Sequence, residues 1–494
     1  MTAARIAATA IAWSDLVGSL PTPSAADDAR DAQRSWHLAS RRHLVVLDDD
    51  PTGSQAVHDV PVLTSWSADD LRWAFAHPGR AFFVLTNSRS LPSAEAEQVL
   101  TELDRAVARV AAQVGTEAVV VSRSDSTLRG HFPLETDVLA RGAAERSSPL
   151  DAVVVVPAYL EAGRVTVDDV HYARSGDEAL PVGLTDYARD EAFGYASSDL
   201  RDWVEEKTGS RIRRDDVVSL SIHDIRVGGA DTVFQRLLGA RNGAVVVVNA
   251  VLDSDLDVVC AALRRAEDAG WRAAYRTGPS MVAALLGLQP SAPLRYDEIV
   301  DPRHSGGHGL VVVGSHVELS TRQVERLLAT TGTRAVEVDV VSLVDPGQRA
   351  VEVQRCLEAC RDAALYADVV LLTSREVLVT AAGQSSLALS RLVASVLVTL
   401  VRELTSAWVP AWVVAKGGIT SHEVATGGLG IHRAIVLGQL FPGLVSVWRS
   451  EAETGREGHR PLLEGLPYVV FAGNVGDTDS LRDSVLTLRG STRA

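Results

Sequence analysis

Short apolar runs rich in valine alternate with helical patterns along almost the whole chain, and this alternation constrains the fold more than any other feature. Five runs lie in the first half: HLVVLD from His43, AFFVLT from Ala81, EAVVVS from Glu117, DAVVVVP from Asp151 and GAVVVVNA from Gly243. Five more lie in the second half: LVVVG from Leu310, RAVEVDV from Arg334, DVVLLTS from Asp368, AWVVAKGG from Ala411 and YVVFAGN from Tyr468. Continuous apolar strands separated by helices are typical of parallel sheets covered on both faces. The pattern predicts an α/β protein with mainly parallel sheets.

The segment YDEIVDPRHSGGHG, rich in proline, glycine and histidine near residues 301–309, interrupts this alternation. It separates two series of strands, and a chain of 494 residues is long enough for more than one core. We therefore predict two α/β domains, residues 41–300 and 301–494, preceded by a mobile tail at residues 1–40. Two domains on one linker suggest an active site in the cleft between them.

Charge and apolar patterning exclude several classes of protein. The formal net charge is −15, whereas nucleic acids and anionic membranes bind basic surfaces. The N-terminal residues lack the apolar segment of a secretion signal, and three cysteines are too few for a disulfide framework. The longest apolar stretch, from Leu387, is interrupted by Arg391 and Arg402, which leaves less than the ~20 residues needed to span a bilayer. We expect a cytoplasmic protein that binds neither nucleic acid nor membrane.

Three consecutive carboxylates follow the first strand, in VVLDDDPTGSQA at residues 45–56. Ligands of open α/β sheets bind beyond the carboxyl ends of the strands. Asp48, Asp49 and Asp50 are therefore candidate site residues. An ordinary polar loop is the alternative for this stretch taken alone.

The third strand is followed by RSDSTLRGHFPLE, residues 123–135, which combines guanidinium groups, a carboxylate and short hydroxyls. Arginine recognises carboxylates through two parallel hydrogen bonds, and hydroxyls suit polyol oxygens, so a small hydroxy acid would fit. A helix N-cap with a surface ion pair is the alternative. Arginines also follow two further strands. The candidate substrate-binding residues are Asp49, Arg89, Arg123, Ser126, Thr127, Arg129 and Arg164, with Asp125 beside them.

Three glycine-containing turns follow strands of the second half, in VVVGSHVELSTRQ, VVAKGGITSHEV and VVFAGNVGDTDSL. Glycine lets backbone amides approach a phosphate closely, and a helix N-terminus adds a favourable partial charge. The P-loop pattern G-x-x-x-x-G-K-[ST] does not occur in the sequence. The turns at Gly314–Ser315, Gly417–Thr420 and Gly473–Asn474 are therefore predicted to face phosphate or ribose, although each alone is also a common tight turn.

Taken in order, these motifs resemble the four-carbon acid sugar kinase family over roughly residues 43–485. DDDPTGSQ is similar to the family's D-D-x-T-G opening, SRSDSTLRG to its S-T-x-R-G signature, and PAYLEAGR to its P-A-F-x-x-x-G-R segment. GSHVELSTRQ, KGGIT and AGNVGDTDSL resemble its three ATP-binding segments. The resemblance implies phosphoryl transfer from Mg²⁺-bound ATP to a hydroxyl of a four-carbon sugar acid, with the acid on the N-terminal domain and ATP on the C-terminal one. It places ATP contacts on Ser315, Gly417, Gly418, Ile419, Thr420 and Gly473.

Three departures from the family pattern indicate a divergent branch. Ile419 stands where the G-G-x-T loop usually has an acidic residue, and FAGNVG lacks the lysine of the usual K-S-G-N-F-G. The motif DDDPTG contains a proline, so the acid need not be threonate.

Phosphoryl transfer needs in-line positioning, Mg²⁺ to neutralise charge and a base to take the hydroxyl proton. Asp50 and Asp125 are the candidate bases. Adjacent carboxylates raise one another's pKa, which favours Asp50. Asp49 would then orient the polyol, and Asp48 should matter least. The metal ligands and the oligomeric state stay open, with a homodimer as one option.

Two other functions remain as alternatives. LVVLDDDPTGS also satisfies the D-x-D-x-T pattern of haloacid-dehalogenase-type phosphatases, with Asp48 as nucleophile and Asp50 as acid. That mechanism needs a cation near the phosphoryl group, yet of the two lysines Lys207 lies in a polar helical stretch and Lys416 lies at a strand end, where it could snorkel. The altered FAGNVG loop also allows a sugar-acid-binding sensor without catalysis.

Overall fold

The strands are short, and in several of them every residue is buried, as strands covered on both faces require. The computed structural model describes residues 9–23, 28–50, 53–315, 317–374, 386–442, 444–453 and 460–491. Its strands are β1 Ile11–Ala12, β2 Arg42–Asp48, β3 Val60–Leu63, β4 Ala81–Leu85, β5 Glu117–Arg123, β6 Ala152–Val156, β7 Arg164–Val167, β8 Val170–Ser175, β9 Glu178–Pro181, β10 Val218–Leu220, β11 Ala244–Val248, β12 Ala273–Thr277, β13 Leu310–Val313, β14 Thr333–Val338, β15 Asp368–Thr373, β16 Val413–Lys416, β17 Arg433–Phe441, β18 Leu444–Ser450 and β19 Pro467–Phe471.

The helices fill the connections between these strands. They are α1 Trp13–Gly18, α2 Ala29–Ala39, α3 Ala68–Phe75, α4 Ser93–Val114, α5 Leu134–Glu145, α6 Leu200–Lys207, α7 Ile222–Arg226, α8 Gly229–Gly239, α9 Asp253–Asp268, α10 Pro279–Leu286, α11 Tyr296–Ile299, α12 Glu318–Leu328, α13 Val340–Val344, α14 Pro346–Ala363, α15 Ser386–Ala407, α16 Gly418–Glu423 and α17 Ser480–Leu488. The chain divides into two compact units. The first contains residues up to Val57 and Trp66–Pro290, and the second contains His58–Ser65 and the residues from Ser291 onward.

The main sheet of the first unit has the described strand order β10-β11-β6-β12-β5-β2-β4, and each neighbouring pair is parallel. Asp48, the last residue of β2, lies opposite Leu85 of β4 and Arg123 of β5 in the register. The carboxyl ends of these three strands are therefore level. The loops that follow them begin at one edge of the sheet, where ligands of parallel sheets bind.

A second, antiparallel sheet of the first unit has the order β1-β9-β8-β7. Three of its strands come from the segment after β6 and the fourth, β1, precedes α1; Arg164 is the first residue of β7. Val165, Val167 and Tyr172 of this sheet form a small apolar core with Leu16 of α1.

The second unit contains one described sheet in the order β3-β17-β18-β19-β16-β13-β15-β14. Neighbours from β19 to β14 are parallel, whereas β3, β17, β18 and β19 pair antiparallel. Val311, Val370, Val414 and Val469 come from four neighbouring strands and pack in one core with Leu327 of α12. The predicted α/β class with mainly parallel sheets is confirmed, and the antiparallel hairpin β17–β18 is an addition that the sequence pattern did not indicate.

Residues 29–39, expected to belong to a mobile tail, form helix α2 on the first unit. The buried Arg30 guanidinium bonds the Asp257 carboxylate, Asp253 Oδ1 at 2.7 Å and the Leu288 carbonyl at 2.8 Å. The structure differs from the expectation because polar side chains, rather than an apolar stripe, hold this helix in place. Apolar periodicity in the sequence does not reveal a helix that is held by polar contacts.

Helix α15 contains the longest apolar stretch and has 22 residues. Its buried side chains include Val396, Leu397, Leu400 and Leu404. None of the helices in the described ranges is both long enough and apolar enough to cross a bilayer.

Candidate functional site

Asp49, Asp50 and Arg89 are brought into contact by the carboxyl ends of β2 and β4. The Arg89 amide donates to the Asp49 carbonyl at 3.4 Å, which fixes the two loops to each other. The Arg89 guanidinium donates to both carboxylate oxygens of Asp49, at 3.1 Å from Nε and 2.6 Å from Nη2. Its Nη1 lies 3.1 Å from Asp50 Oδ2. The predicted arginine therefore sits between two of the predicted acids.

Asp48 and Arg123, the last residues of β2 and β5, form a separate and buried ion pair. Arg123 Nη1 donates to Asp48 Oδ1 at 3.1 Å, and the exposed fractions of the two side chains are 7% and 0%. Burial raises the pKa of Asp48 to about 7, with Arg123 opposing this rise and the carboxylates of Asp49 and Asp50 adding to it. Neither side chain of this pair is placed to meet a ligand directly.

Asp125 is paired with two arginines on the loop after β5. Arg129 Nε donates to Asp125 Oδ2 at 2.8 Å, Arg89 Nη1 lies 3.9 Å from Asp125 Oδ1, and the Thr127 hydroxyl also donates to this carboxylate. Burial alone would raise the pKa of Asp125, but the two guanidinium groups and these hydrogen bonds hold it well below its usual range. A carboxylate of this kind is a weak proton acceptor and a strong anchor for arginine.

The backbone of the same loop is fixed by buried side chains. The Ser126 carbonyl accepts from His171 Nε2 at 2.7 Å, and the Thr127 carbonyl accepts from the Tyr195 hydroxyl at 2.6 Å. Both donors belong to the segment that follows β6. This segment therefore positions the S-T-x-R-G loop.

Arg164 has surroundings different from those of the other predicted arginines. Its Nη1 donates to the Ala162 carbonyl at 2.8 Å, and its guanidinium lies 5.8 Å from the centre of the Tyr187 ring. Its Nε is buried without a hydrogen-bond partner. Among the described residues no carboxylate lies within 4.0 Å of Arg164, so its charge is available to an incoming anion.

Arg276, Tyr187 and Asp190 belong to this region although the sequence analysis did not select them. Arg276, only 1% exposed, donates from Nη2 to the Arg129 carbonyl at 3.0 Å. Tyr187 lies under the Arg129 guanidinium at 5.0 Å, and Asp190 lies 3.6 Å from Arg129 Nη1. The available signal for Arg276 was its place near the end of a strand, AAYRT, but the arginine itself interrupts the apolar run by which strands were found.

In the second unit the three predicted glycine turns converge. A Cβ placed on Gly417 would lie 3.2 Å from Thr420 Oγ1 and 3.4 Å from Ser315 Cβ, and one on Gly473 would lie 2.6 Å from Ser315 Oγ. The Ser320 hydroxyl joins two of the turns, because it donates to the Gly473 carbonyl at 2.8 Å and its Oγ lies 3.0 Å from Ser315 Oγ. A side chain at Gly473 would collide with Ser315, and one at Gly417 would contact Thr420 and Ser315 more tightly than side chains usually do.

The turn after β16 is built on a backbone conformation that only glycine adopts readily. Gly417 has φ 117° and ψ 139°, and α16 begins at the next residue, Gly418. The Thr420 side chain is buried, whereas Ile419 is 58% exposed. Ile419, which stands where the resemblance implies an acidic residue, therefore faces away from the core of the unit.

Two further features were considered as ligand sites among the described residues: groups of metal-ligating side chains and a cavity in the first unit. No group of three His, Cys, Asp or Glu side chains is placed to hold a metal ion within the described ranges. A cavity of about 320 Å³ in the first unit lies at the amino-terminal edge of the sheet, where Ala118, Val120 and Ala274 form part of its wall. None of the candidate site residues lines that cavity.

Two family models match the chain in the same order as the two sets of motifs. The sugar-binding N-terminal domain matches residues 44–285, and the nucleotide-binding C-terminal domain matches residues 310–481. The acid and arginine cluster thus lies in the sugar-binding match, and the glycine turns lie in the nucleotide-binding match.

Two relatives are named as kinases. D-erythronate kinase of Heliobacterium modesticaldum is 27% identical over 326 residues, a region that spans 63% of this chain and 66% of that enzyme, slightly under two thirds of its length. D-threonate kinase of Salmonella typhimurium is 24% identical over 335 residues, which span 67% of this chain and 72% of that enzyme.

A solved structure extends the likeness to the fold. A Salmonella typhimurium LT2 protein described as a tRNA synthase is 16% identical, with a TM-score of 0.66 over 90% of this chain and 98% of that one. At this identity the likeness concerns the fold alone. With both domain models matched in order over most of its length, the chain belongs to the four-carbon acid sugar kinase family.

Proposed function

We propose that this protein is an ATP-dependent kinase that phosphorylates a hydroxyl of a four-carbon sugar acid. The observation that carries the proposal is the convergence of three glycine turns within about 4 Å of one another, in the part of the chain matched by the nucleotide-binding domain. Turns without side chains let a polyphosphate approach backbone amides. The names of the two kinase relatives support the acid as the acceptor.

In the proposed acid site, Arg164 binds the substrate carboxylate. The guanidinium groups of Arg89, Arg123 and Arg129 are already paired with aspartates, whereas no described carboxylate lies near Arg164. A guanidinium without a counter-ion gains most from a carboxylate that arrives with the ligand. Ser126 and Thr127 remain candidates for the polyol hydroxyls.

Asp50 is the proposed base for the hydroxyl that is phosphorylated. Its side chain is 26% exposed, and its Oδ2 lies 3.1 Å from Arg89 Nη1. Asp125 is the weaker candidate because two arginines lower its pKa. Asp49, bonded through both oxygens to Arg89, would orient the polyol rather than take the proton.

The nucleotide would be bound by Ser315, Gly417, Gly418, Ile419, Thr420 and Gly473. Mg²⁺ would arrive with ATP, since it is commonly held by substrate phosphates together with one or two carboxylates. The chemistry that it supplies is charge neutralisation on the transferring phosphoryl group. The protein's part is to hold the two substrates in line.

The geometry disfavours the phosphatase alternative. That mechanism uses Asp48 as a nucleophile, and the Asp48 side chain is fully buried and paired with Arg123. The sensor alternative differs from the kinase in one measurable property, which is turnover of ATP.

An ATP-consumption assay over a panel of four-carbon acids tests the proposal. The panel contains the D and L forms of erythronate and threonate, each with and without Mg²⁺, and the product is identified by ³¹P NMR. We expect ADP release that depends on one acid and a new phosphate monoester signal. ATP and acid binding without any turnover would favour the sensor, and release of phosphate from a phosphorylated acid without ATP would favour the phosphatase.

A further inference from the structure

Lys416 occupies an unusual position at the end of β16, directly before the Gly417 turn. It is fully buried, with an exposed fraction of 0%, so of the two alternatives for this lysine the structure does not support a snorkel to the surface. Its Nζ donates to the Ala472 carbonyl at 2.8 Å and contacts the Gly473 carbonyl at 3.3 Å. The ammonium also lies 3.9 Å from the centre of the Phe471 ring. One side chain therefore ties the turn after β16 to the turn after β19.

This ammonium has no counter-ion among the residues that the structure describes. Its two hydrogen-bond acceptors are backbone carbonyls, and no described carboxylate lies within 4.0 Å. Burial lowers the pKa of Lys416 to about 7, and no charged group offsets that effect. Charged side chains are almost never fully buried without a partner, so the fold tolerates a position that is costly for the lysine.

The turn that Lys416 contacts is part of the converging set. The Gly473 carbonyl accepts from Ser320 at 2.8 Å as well as from Lys416. Ser320 Oγ also lies 3.0 Å from Ser315 Oγ. A shift of Lys416 would therefore change the positions of both the Gly473 turn and the Ser315 turn.

We propose that Lys416 is a positioning residue for the nucleotide, whose ammonium fixes the Ala472–Gly473 turn and supplies an uncompensated positive charge for the ATP phosphates. The proposal rests on the proposed function. The lysine is buried and acts through the turn rather than by direct contact. A donor on the carbonyl of residue 473 polarises that peptide and strengthens its amide as a donor, and a charge in low dielectric retains its field over several ångströms.

The first test compares Lys416→Met with the wild type in calorimetric titrations of Mg-ATP, Mg-ADP and adenosine. We expect Lys416→Met to weaken ATP and ADP by about tenfold or more and adenosine by less than about twofold, because only the phosphates respond to the lost charge. An equal loss for all three ligands would show that the turn has only collapsed. Unchanged ATP affinity would overturn the proposal as well.

Lys207→Met is the matched control. Lys207 is the other lysine of the chain, and its Nζ also donates to two carbonyls, those of Phe193 at 3.2 Å and Gly194 at 2.6 Å. This variant should bind all three ligands as the wild type does. If it weakens ATP as much as Lys416→Met, the effect is not specific to the turns and the proposal fails.

A second measurement uses the wild-type protein, so it does not depend on how a variant folds. With ¹³Cε-labelled lysine the protein gives two side-chain signals, which the Lys207→Met variant assigns. Mg-ATP should raise the titration midpoint of Lys416, and adenosine should leave it in place, because a nearby anion favours the charged form. A midpoint that ignores bound ATP refutes the role of Lys416, whereas a wild type that does not bind ATP refutes the proposed function instead.

Discussion

The two candidate regions differ in what would recognise a ligand. The region after β2, β4 and β5 is crowded with side-chain charge: Asp49, Asp50 and Asp125 all lie within 4 Å of Arg89. The region after β13, β16 and β19 consists of backbone turns around glycines and one buried lysine without a described counter-ion. The first suits a small acid with hydroxyls, and the second suits a polyphosphate.

The difference predicts how each region fails when it is changed. In the first region Arg89 holds Asp49, Asp50 and Asp125, and Arg123 holds Asp48, so removal of one charge leaves a partner unpaired. In the second region the shape of the backbone is what matters, so addition of atoms should do more harm than removal of atoms. The predictions below test this contrast.

The largest effect is expected for Gly417→Val. The variant forces a β-branched residue into φ 117° and places a Cβ 3.2 Å from Thr420 Oγ1. Mg-ATP affinity should fall by at least about 10³-fold, because the strained turn would displace Thr420 and Ser315 and would no longer present its amides to a phosphate. Isothermal titration calorimetry measures this loss.

Gly430→Val provides a matched control for backbone strain. Gly430 also has a positive φ, 70°, but a Cβ there meets no atom within 4 Å. This variant should lose thermal stability and keep its ATP affinity. If the two variants bind ATP equally well, the Gly417 turn is not part of the nucleotide site.

The next effect concerns Asp50. Asp50→Asn keeps the shape of the side chain and removes the proton acceptor, so kcat should fall by roughly 10²-fold or more while binding of the acid is largely kept. Steady-state kinetics with the acid identified in the panel measures both quantities. Asp48→Asn should keep most of the kcat, and an inactive Asp48→Asn beside an active Asp50→Asn would reverse the assignment in favour of the phosphatase.

Substitution of Arg164 should weaken binding of the acid, whereas substitution of Arg123 should lower the stability of the fold. For Arg164→Ala we expect a loss in kcat/KM of about 2 kcal/mol, roughly 30-fold, mostly through a higher KM for the acid. For Arg123→Ala we expect instead a loss of folding stability on the order of 3 kcal/mol, because the buried Asp48 carboxylate loses its partner. Denaturant titrations and kinetics on both variants, with the exposed Arg174→Ala as control, check the distinction. A wild-type KM in Arg164→Ala would place the acid elsewhere.

Much of this architecture follows from the sequence, because a buried parallel strand is a continuous apolar run. All ten predicted runs correspond to strands, from β2 to β19. The strand β12 was missed because Arg276 interrupts it, and its guanidinium is buried against Phe132 and Trp203 at 5.5 and 5.0 Å. The contacts that allow the Arg276 charge to be buried come from residues far away in the chain, and a local sequence pattern does not contain them.

The sequence predicted which residues form the acid-binding site, but not which aspartate pairs with which arginine. Strand ends in a parallel sheet meet at one edge, which is why Asp49, Arg89 and Asp125 could be grouped in advance. Which aspartate each arginine binds depends on strand order and register, and these placed Asp48 with Arg123 inside the sheet edge. Lys416 shows the same limit, since the sequence placed it at a strand end but its burial followed only from the packing of β16 against β19.

The smallest expected effect is a change in how stability depends on pH, and it tests whether Asp48 is structural. Burial raises the pKa of Asp48 to about 7, with Arg123 opposing and the neighbouring aspartates adding to the rise. A carboxyl whose pKa is raised in the folded protein stabilises it fully below its ordinary pKa near 4, and this contribution is lost as the pH rises through about 7. Asp48→Asn does not titrate, so its Tm should fall less than the wild-type Tm between pH 5 and pH 7.5. Each kcal/mol corresponds to about 2–4 °C in a domain of roughly 200 residues, which differential scanning calorimetry resolves.

Buried histidines such as His37 and His171, whose pKa burial lowers to about 4, act in the opposite direction, but they are the same in both proteins and cancel in the comparison. Parallel Tm curves for the two proteins would mean that Asp48 is ionised throughout this range, and the ion pair with Arg123 would then be stronger than its burial indicates.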